Sequence, residues 1–335
     1  MFPVIEQVSS LNGNGNLYEY SISRNGILLH RSGLGALSQH TVLDRGGKQL
    51  SAVGAPVNTT GSVALSPDEK RMVSVRRVGR TWDLWITELE RGNESRFTFG
   101  FRNEAPVWSP DGNYVAFYSD RGGNLDLYRK AANQAGQDEL LWRSGFLKAP
   151  TDWCCGGRFI IFVQVSPGTK TDVFALPLNV DKQPIPLLQS EFNEIDGTVS
   201  PDGRWLAYAS DESGRFEVYV QPFGPASSKP SSGKWPISIS GGRDPHWRGD
   251  GRELFYIAPN RKLMAVTVKT DGDGFVRGTP QPLFEGRVPV ENNDNYSNRY
   301  AVSADGKRFL LALDPETSSE APLHVTVNWL AGVKR

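Results

Sequence analysis

The sequence predicts an all-β fold, a seven-bladed β-propeller of four-stranded antiparallel blades, and three observations lead there. A short turn motif recurs along the chain at a blade-like spacing. Each copy is followed by the same succession of short strands, and the composition suits many strands joined by tight turns.

The turn motif comes first because a fixed period decides the architecture before any single strand does. Its clearest copies read WSPDG at 108–112, LSPDE at 65–69, VSPDG at 199–203 and VSADG at 302–306. Weaker copies are WRGDG at 247–251, ISRNG at 22–26 and WCCGG at 153–157. Their last positions fall at 26, 69, 112, 157, 203, 251 and 306, with spacings of 43, 43, 45, 46, 48 and 55. A period of about 40–50 residues marks propeller blades. Within the motif Pro sets φ at the first corner and Asp bonds its own downstream backbone. Gly then accepts the positive φ at the exit. Glu69 and the Cys154–Cys155 pair depart from that chemistry.

The strands follow in order. A short apolar strand comes after each turn: YVAFYS at 114–119, WLAYAS at 205–210, ELFYIA at 253–258 and RFLLAL at 308–313. A polar loop such as DRGGN at 120–124 leads to an alternating third strand, LDLYRK at 125–130 or FEVYVQ at 216–221. A fourth strand such as SRFTF at 95–99 completes the unit. The last unit lacks a fourth strand after HVTVNW at 324–329, so VIEQVS at 4–9 is expected to supply it and close the ring. Residues 1–335 then form one domain of seven blades, or six if the first or last unit is degenerate.

Composition excludes several classes. With 38% hydrophobic residues the chain can bury a core, which argues against disorder. The 37 basic and 37 acidic residues balance, so no general attraction for nucleic acid or an anionic membrane surface is expected. No apolar run reaches the roughly 18–20 residues of a spanning helix, and the N-terminal segment lacks the pattern of a signal peptide. Two adjacent cysteines exclude a disulfide framework.

The WSPDG anchors and the loop at 119–123 resemble the TolB-like, WD-repeat-related propellers. A narrower resemblance runs through SRFTF at 95–99, PVWSPDG at 106–112, PTDW at 150–153, SPDGRWLAYASDESGR at 200–215, VYVQPF at 218–223, ELFYIAPNRKLMAV at 253–266 and VNWLAGVKR at 327–335. These are similar to the C-terminal propeller of bacterial serine/threonine protein kinases. That resemblance implies a sensing role, and an extracytoplasmic location if the propeller belongs to a receptor kinase, otherwise a cytoplasmic one. Cys154–Cys155 stand where the subgroup has Ser-Pro.

Catalytic signatures are missing from this chain. It has no G-x-S-x-G elbow, no G-x-G-x-x-G loop, no H-R-D and no D-F-G. His30, His40, His246 and His324 fall in different expected blades, without the pairing of a zinc site. Arg248-Gly249-Asp250 spells an adhesion tripeptide but occupies a repeat turn. Asp120, Asn124 and Asp126 lack the later Glu of a calcium loop, and Asp271 and Asp273 read as a hairpin turn. Trp82, Trp108, Trp153 and Trp247 recur at repeat positions and read as core.

Strand direction places the candidate site. The loops leading into the inner strands crowd one face and bring Asn103, Glu104, Lys148, Asn193, Glu194, Asp196, Arg243, Asp244, Asn298 and Arg299 around one mouth, with His246 beside them. Convergent polar groups around a concavity are the default binding site. The competing reading is exposed loop residues in mutual ion pairs. The opposite face, built from short turns, is expected to leave little room for recognition. The expected function is noncatalytic binding of a protein, peptide or small molecule at the mouth, without cofactor, metal, nucleic acid or membrane insertion. The alternative is a lactonase- or lyase-like propeller enzyme with a metal in the channel.

Overall fold

The computed structural model describes residues 20–22, 27–31, 37–179, 182–224, 233–271, 274–285, 298–313 and 323–327. These residues form six four-stranded antiparallel blades, one of them carrying an extra hairpin strand, and a separate three-stranded sheet. Blade 1 comprises Val63–Leu65, Arg71–Val78, Thr81–Glu88 and Glu94–Arg96. Blade 2 comprises Asn103–Trp108, Tyr114–Ser119, Asp126–Ala131 and Glu139–Trp142. Blade 3 comprises Lys148–Cys154, Phe159–Ser166, Lys170–Pro177 and Ile185–Leu188. Blade 4 comprises Glu194–Val199, Trp205–Ser210, Glu217–Pro222 and Trp235–Pro236.

Blade 5 comprises Arg243–Trp247, Glu253–Ile257, Lys262–Asp271 and Gln281–Glu285. Its long third strand runs on to pair with Gly274–Arg277, the extra hairpin. Blade 6 takes its inner strands, Tyr300–Val302 and Arg308–Leu313, from the C-terminal part of the chain. Its outer strands, Ser38–Asp44 and Gln49–Val57, come from the N-terminal part. Arg308 pairs with Asp44 and Leu313 with Gln39, so one antiparallel ladder joins the two parts. The inner strands touch in order around the ring, and 300–302 returns to 63–65.

The expected seven-bladed ring is therefore wrong: the ring has six blades. The first expected blade is divided. Its last two strands complete blade 6, while Tyr20–Ile22 and Ile27–Arg31 form a hairpin that pairs with Leu323–Val327. Of the strand that was to precede a borrowed one, the described residues Leu323–Val327 belong to this separate sheet. The closing strand proposed at 4–9 lies outside the described residues. Ring closure is non-local in either arrangement, and a period counts turns without naming their partners.

Second strands are buried along nearly their whole length, as in YVAFYS and WLAYAS, because neighbouring blades cover both faces. Tryptophans fasten one blade to the next: Trp108 Nε1 donates to the Ala64 carbonyl (3.2 Å) and Trp247 Nε1 to that of Thr198 (3.3 Å). The repeat turns carry a second kind of fastening. Ser66, Ser109, Ser200 and Ser303 donate their hydroxyls to Asp68, Asp111, Asp202 and Asp305 at 2.5–2.6 Å. Each of these serine oxygens also accepts the N–H five residues on, at 2.9 Å. Glu69 takes the positive φ (56°) meant for Gly and uses its carboxylate instead, bonding the Ala304 N–H and Arg308 across the blade 6 junction, each at 2.6 Å. Gly249 is required by space: a Cβ there would lie 2.8 Å from the Ala304 carbonyl oxygen. The adhesion-like tripeptide therefore sits in a packed turn.

Candidate functional site

The inner strands do not enter the ring as plain extended chain. Their pairing shifts register in blades 2, 3, 4 and 5. At the bulge Ala105, Asp196 and Asp244 hold left-handed backbone (φ 52°, 57° and 52°). Aspartate tolerates that region better than most residues, and a bulge re-aims the side chain it carries.

Blades 4, 5 and 6 bring the bulge residues together. The Asp244 N–H donates to Asp196 Oδ2 (3.1 Å), so the two acids stand side by side. Arg243 Nε lies 3.8 Å from Asp196 Oδ2, and Arg299 Nε lies 3.6 Å from Asp244 Oδ2. These are ion-pair distances too long for hydrogen bonds. The Tyr300 hydroxyl donates to the Asp244 carbonyl (2.9 Å), and the His246 ring lies edge-on to Tyr300 at 4.5 Å. Asp244 Oδ2 and His246 Nε2 are buried without a hydrogen-bond partner. Burial, and then the Asp244 carboxylate, push Asp196 up to about 7. Burial pushes His246 down to about 4.

The remaining mouth residues are spent on the ring itself. Asn103 Nδ2 donates to the Trp82 carbonyl, Asp83 Oδ1 and the Gly100 carbonyl, while its Oδ1 accepts from Arg121 (2.9 Å). Lys148, fully buried, donates to the Leu125 carbonyl (3.0 Å), Asp126 Oδ1 (2.9 Å) and the Ser144 carbonyl (3.2 Å). Glu104 accepts from Arg102 (2.5 Å), and Asn193 is clipped to Asp211 through its N–H and side-chain amide. Glu194 accepts from Ser190 through one oxygen and leaves the other, Oε2, buried without a partner. The Asn298 carbonyl accepts the Val63 N–H (3.0 Å). Glu104, Glu194, Asp196 and Asp244 are 2–7% exposed, so the reading of these acids as exposed loop charges fails. Neighbouring blades cover them.

Sequence reasoning missed the acids that organise the mouth. Asp83, Asp126, Asp172 and Glu217 occupy one position on successive third strands and are all buried. The signal was present as WDL, LDL, TDV and FEV at one place in the repeat. The calcium-like spacing at 120–126 dissolves in the same way: Asp120 accepts the Arg102 N–H (2.7 Å) and Asp126 is taken by Lys148. Among the described residues no group of three or more His, Cys, Asp or Glu is arranged to hold a metal.

Two surface features complete the picture. Phe99, Phe101, Phe146 and Ile239, on the loops of the mouth face, are 40–61% exposed. On the turn face a cavity of about 760 Å³ opens between blades 4 and 5, lined by Asp202, Trp205, Trp247, Arg248, Arg252 and Lys269 among others. That face is roomier than its short turns suggest, because the long third strand of blade 5 forms one wall.

No known family profile matches the chain. In fold it is similar to a putative TolB from Agrobacterium tumefaciens, with TM-score 0.63 and 18% identity over 84% of this chain and 99% of that one. It is also similar to an oligogalacturonate lyase in complex with manganese, with TM-score 0.51 and 10% identity over 94% and 82%. In sequence it is 22% identical over 245 residues to the Tol-Pal system protein TolB of Francisella tularensis subsp. mediasiatica, covering 69% of this chain and 55% of that protein. The chain spans about half the length of that relative. These likenesses support the TolB-like propeller fold; the narrower likeness to kinase-borne propellers stands on the sequence motifs alone.

Proposed function

We propose that the chain is a noncatalytic binding module that takes a protein or peptide partner on its mouth face. The blade 4–6 cluster is its polar anchor, and the exposed side chains of Phe99, Phe101 and Phe146 supply apolar contact. One observation carries this reading: the Asp196–Asp244 pair is held together in left-handed bulges beside two arginines at 3.6–3.8 Å, with Asp244 Oδ2 and His246 Nε2 unsatisfied. Buried polar groups without partners are rare in finished structure and suit a site that an incoming donor completes. Exposed aromatics on the same face fit the composition of protein interfaces. The finer role, the sensor half of a bacterial signalling protein such as a receptor serine/threonine kinase with an extracytoplasmic propeller, rests on the ordered motifs between 95 and 335. An immunoblot of the native protein tests it, since a kinase half adds a domain's length to the band.

The binding role is tested by panning a displayed random-peptide library on the intact chain. Phe101→Ser and Asp244→Asn are expected to weaken recovered peptides at least tenfold, and Arg252→Ala on the turn face to leave them unchanged. Peptides indifferent to both mouth variants, or lost with Arg252→Ala, would place recognition elsewhere. A lyase- or lactonase-like enzyme is the second reading. Tight, stoichiometric manganese binding by the purified chain would favour it over the first.

A further inference from the structure

The turn of blade 3 is built unlike its siblings. Where four turns hold Ser-Pro-Asp-Gly or a near copy, 154–157 reads Cys-Cys-Gly-Gly, and the serine–aspartate fastening has no counterpart. The backbone differs as well. Cys155, Gly156 and Gly157 are all left-handed (φ 59°, 66° and 86°), whereas the siblings' second position is a proline or alanine at negative φ. A left-handed non-glycine residue is strained, so the surroundings must hold Cys155 there. The consequence is a contact between the two sulfurs: Cys155 Sγ lies 3.0 Å from Cys154 Sγ. Arg158 Nε donates to the Cys155 carbonyl (3.0 Å) and steadies the turn.

We propose that Cys154 and Cys155 are a reversible modification site, closing to a disulfide between neighbouring residues when the protein meets a disulfide-class oxidant such as oxidised glutathione. The half-exposed Cys155 leads and the buried Cys154 follows. Cys155 thiolate attacks one sulfur of the oxidant, its S–S bond breaks, and one free thiol leaves. Cys154 then gives up its proton to water and attacks Cys155 Sγ, expelling the second thiol. Two protein thiols are oxidised and one small disulfide is reduced to two thiols, so electrons and atoms balance. The order agrees with the acidities. The hydrogen bond between the thiols and burial push Cys154 up, and that same hydrogen bond pulls Cys155 down.

Adjacent Cα atoms are about 3.8 Å apart, below the roughly 4.4 Å at which ordinary disulfides begin. The bond is therefore of the strained kind that mild dithiols reopen, which suits a labile device and not a permanent brace.

Both cysteines fall in the single tryptic peptide 149–158, which makes the test direct. The intact chain is treated with oxidised glutathione, quenched with iodoacetamide and digested. The reduced protein is expected to carry two alkyl groups on that peptide. The oxidised protein should carry none and weigh less by two hydrogens. Phenylarsine oxide, which bridges neighbouring thiols, should bind the reduced chain one to one and the oxidised chain not at all. Cys155→Ser should lose the arsenical and keep one alkylatable thiol. A glutathione adduct that persists on the wild-type peptide, or unchanged alkylation after oxidation, would overturn the proposal. Should the variant fail to fold, the wild-type masses decide the matter alone.

Discussion

The junction between blades 2 and 3 and the junction between blades 3 and 4 use one repeat position in opposite ways. At the first, buried Asp126 on the third strand meets Lys148, the opening residue of the next inner strand, and all three ammonium donors are bonded. At the second, buried Asp172 faces a position occupied by Glu194, and Asp172 Oδ1 and Glu194 Oε2 are both left without partners. Burial, then the nearby Asp172, push the Glu194 carboxyl up, favouring its protonated form. Same-position residues of opposite charge thus give a locked junction on one side of blade 3 and an acid-rich one on the other. Among the described residues the buried carboxylate oxygens without hydrogen-bond partners are Asp172 Oδ1 and Glu194 Oε2 at this second junction and Asp244 Oδ2 in blade 5.

The comparison breaks first at the locked junction. Lys148→Met leaves Asp126 buried without the lysine, and losing one partner of a buried pair costs about 3–5 kcal/mol. Denaturant unfolding should show that loss. A variant as stable as the wild type would mean that Arg143, 3.1 Å from Asp126 Oδ2, holds the acid unaided.

The reverse exchange is a gain. Glu194→Lys recreates the blade 2–3 arrangement, with Asp172 in the place of Asp126 and the backbone at 171 and 190 in the places of Leu125 and Ser144. Satisfying a buried orphan is worth about 1–2 kcal/mol, read as a thermal midpoint higher by a few degrees. A lower midpoint would show that the two junctions differ in backbone and not only in charge.

A third test is a pH dependence. Asp196 has a folded value of about 7 against an ordinary 3.8. Its raised value gives stability that is present below about 3.8 and lost as pH rises through 7. Asp196→Asn should therefore gain on the wild type across that window in melts run at stepped pH. His40 and His246, both pushed down to about 4 by burial, work the other way: their contribution is present above 6.5 and lost as pH falls towards 4. A difference between Asp196→Asn and wild type that stays flat from pH 4 to 7 would show that Asp196 ionises normally.

The sequence by itself determined the repeat unit. The serine–aspartate turns at 66, 109, 200 and 303, the buried second strands and the buried Trp108 and Trp153 are local features, legible because turn chemistry and strand alternation act over a few residues. Strand direction placed Asp196, Arg243, Asp244, His246 and Arg299 among eleven residues around one mouth, and only the structure draws these five together across blades 4–6. Tertiary structure decided how many blades those units make, because Ser38–Asp44 completes a blade begun more than 250 residues later, at Tyr300. It likewise decided that the mouth acids are buried and which of them are neutralised. Lys148 looks like a loop cation until Asp126 of the preceding blade lies 2.9 Å from it. Such partners meet only when the ring closes, since burial and charge pairing depend on distances between blades that no spacing along the chain encodes.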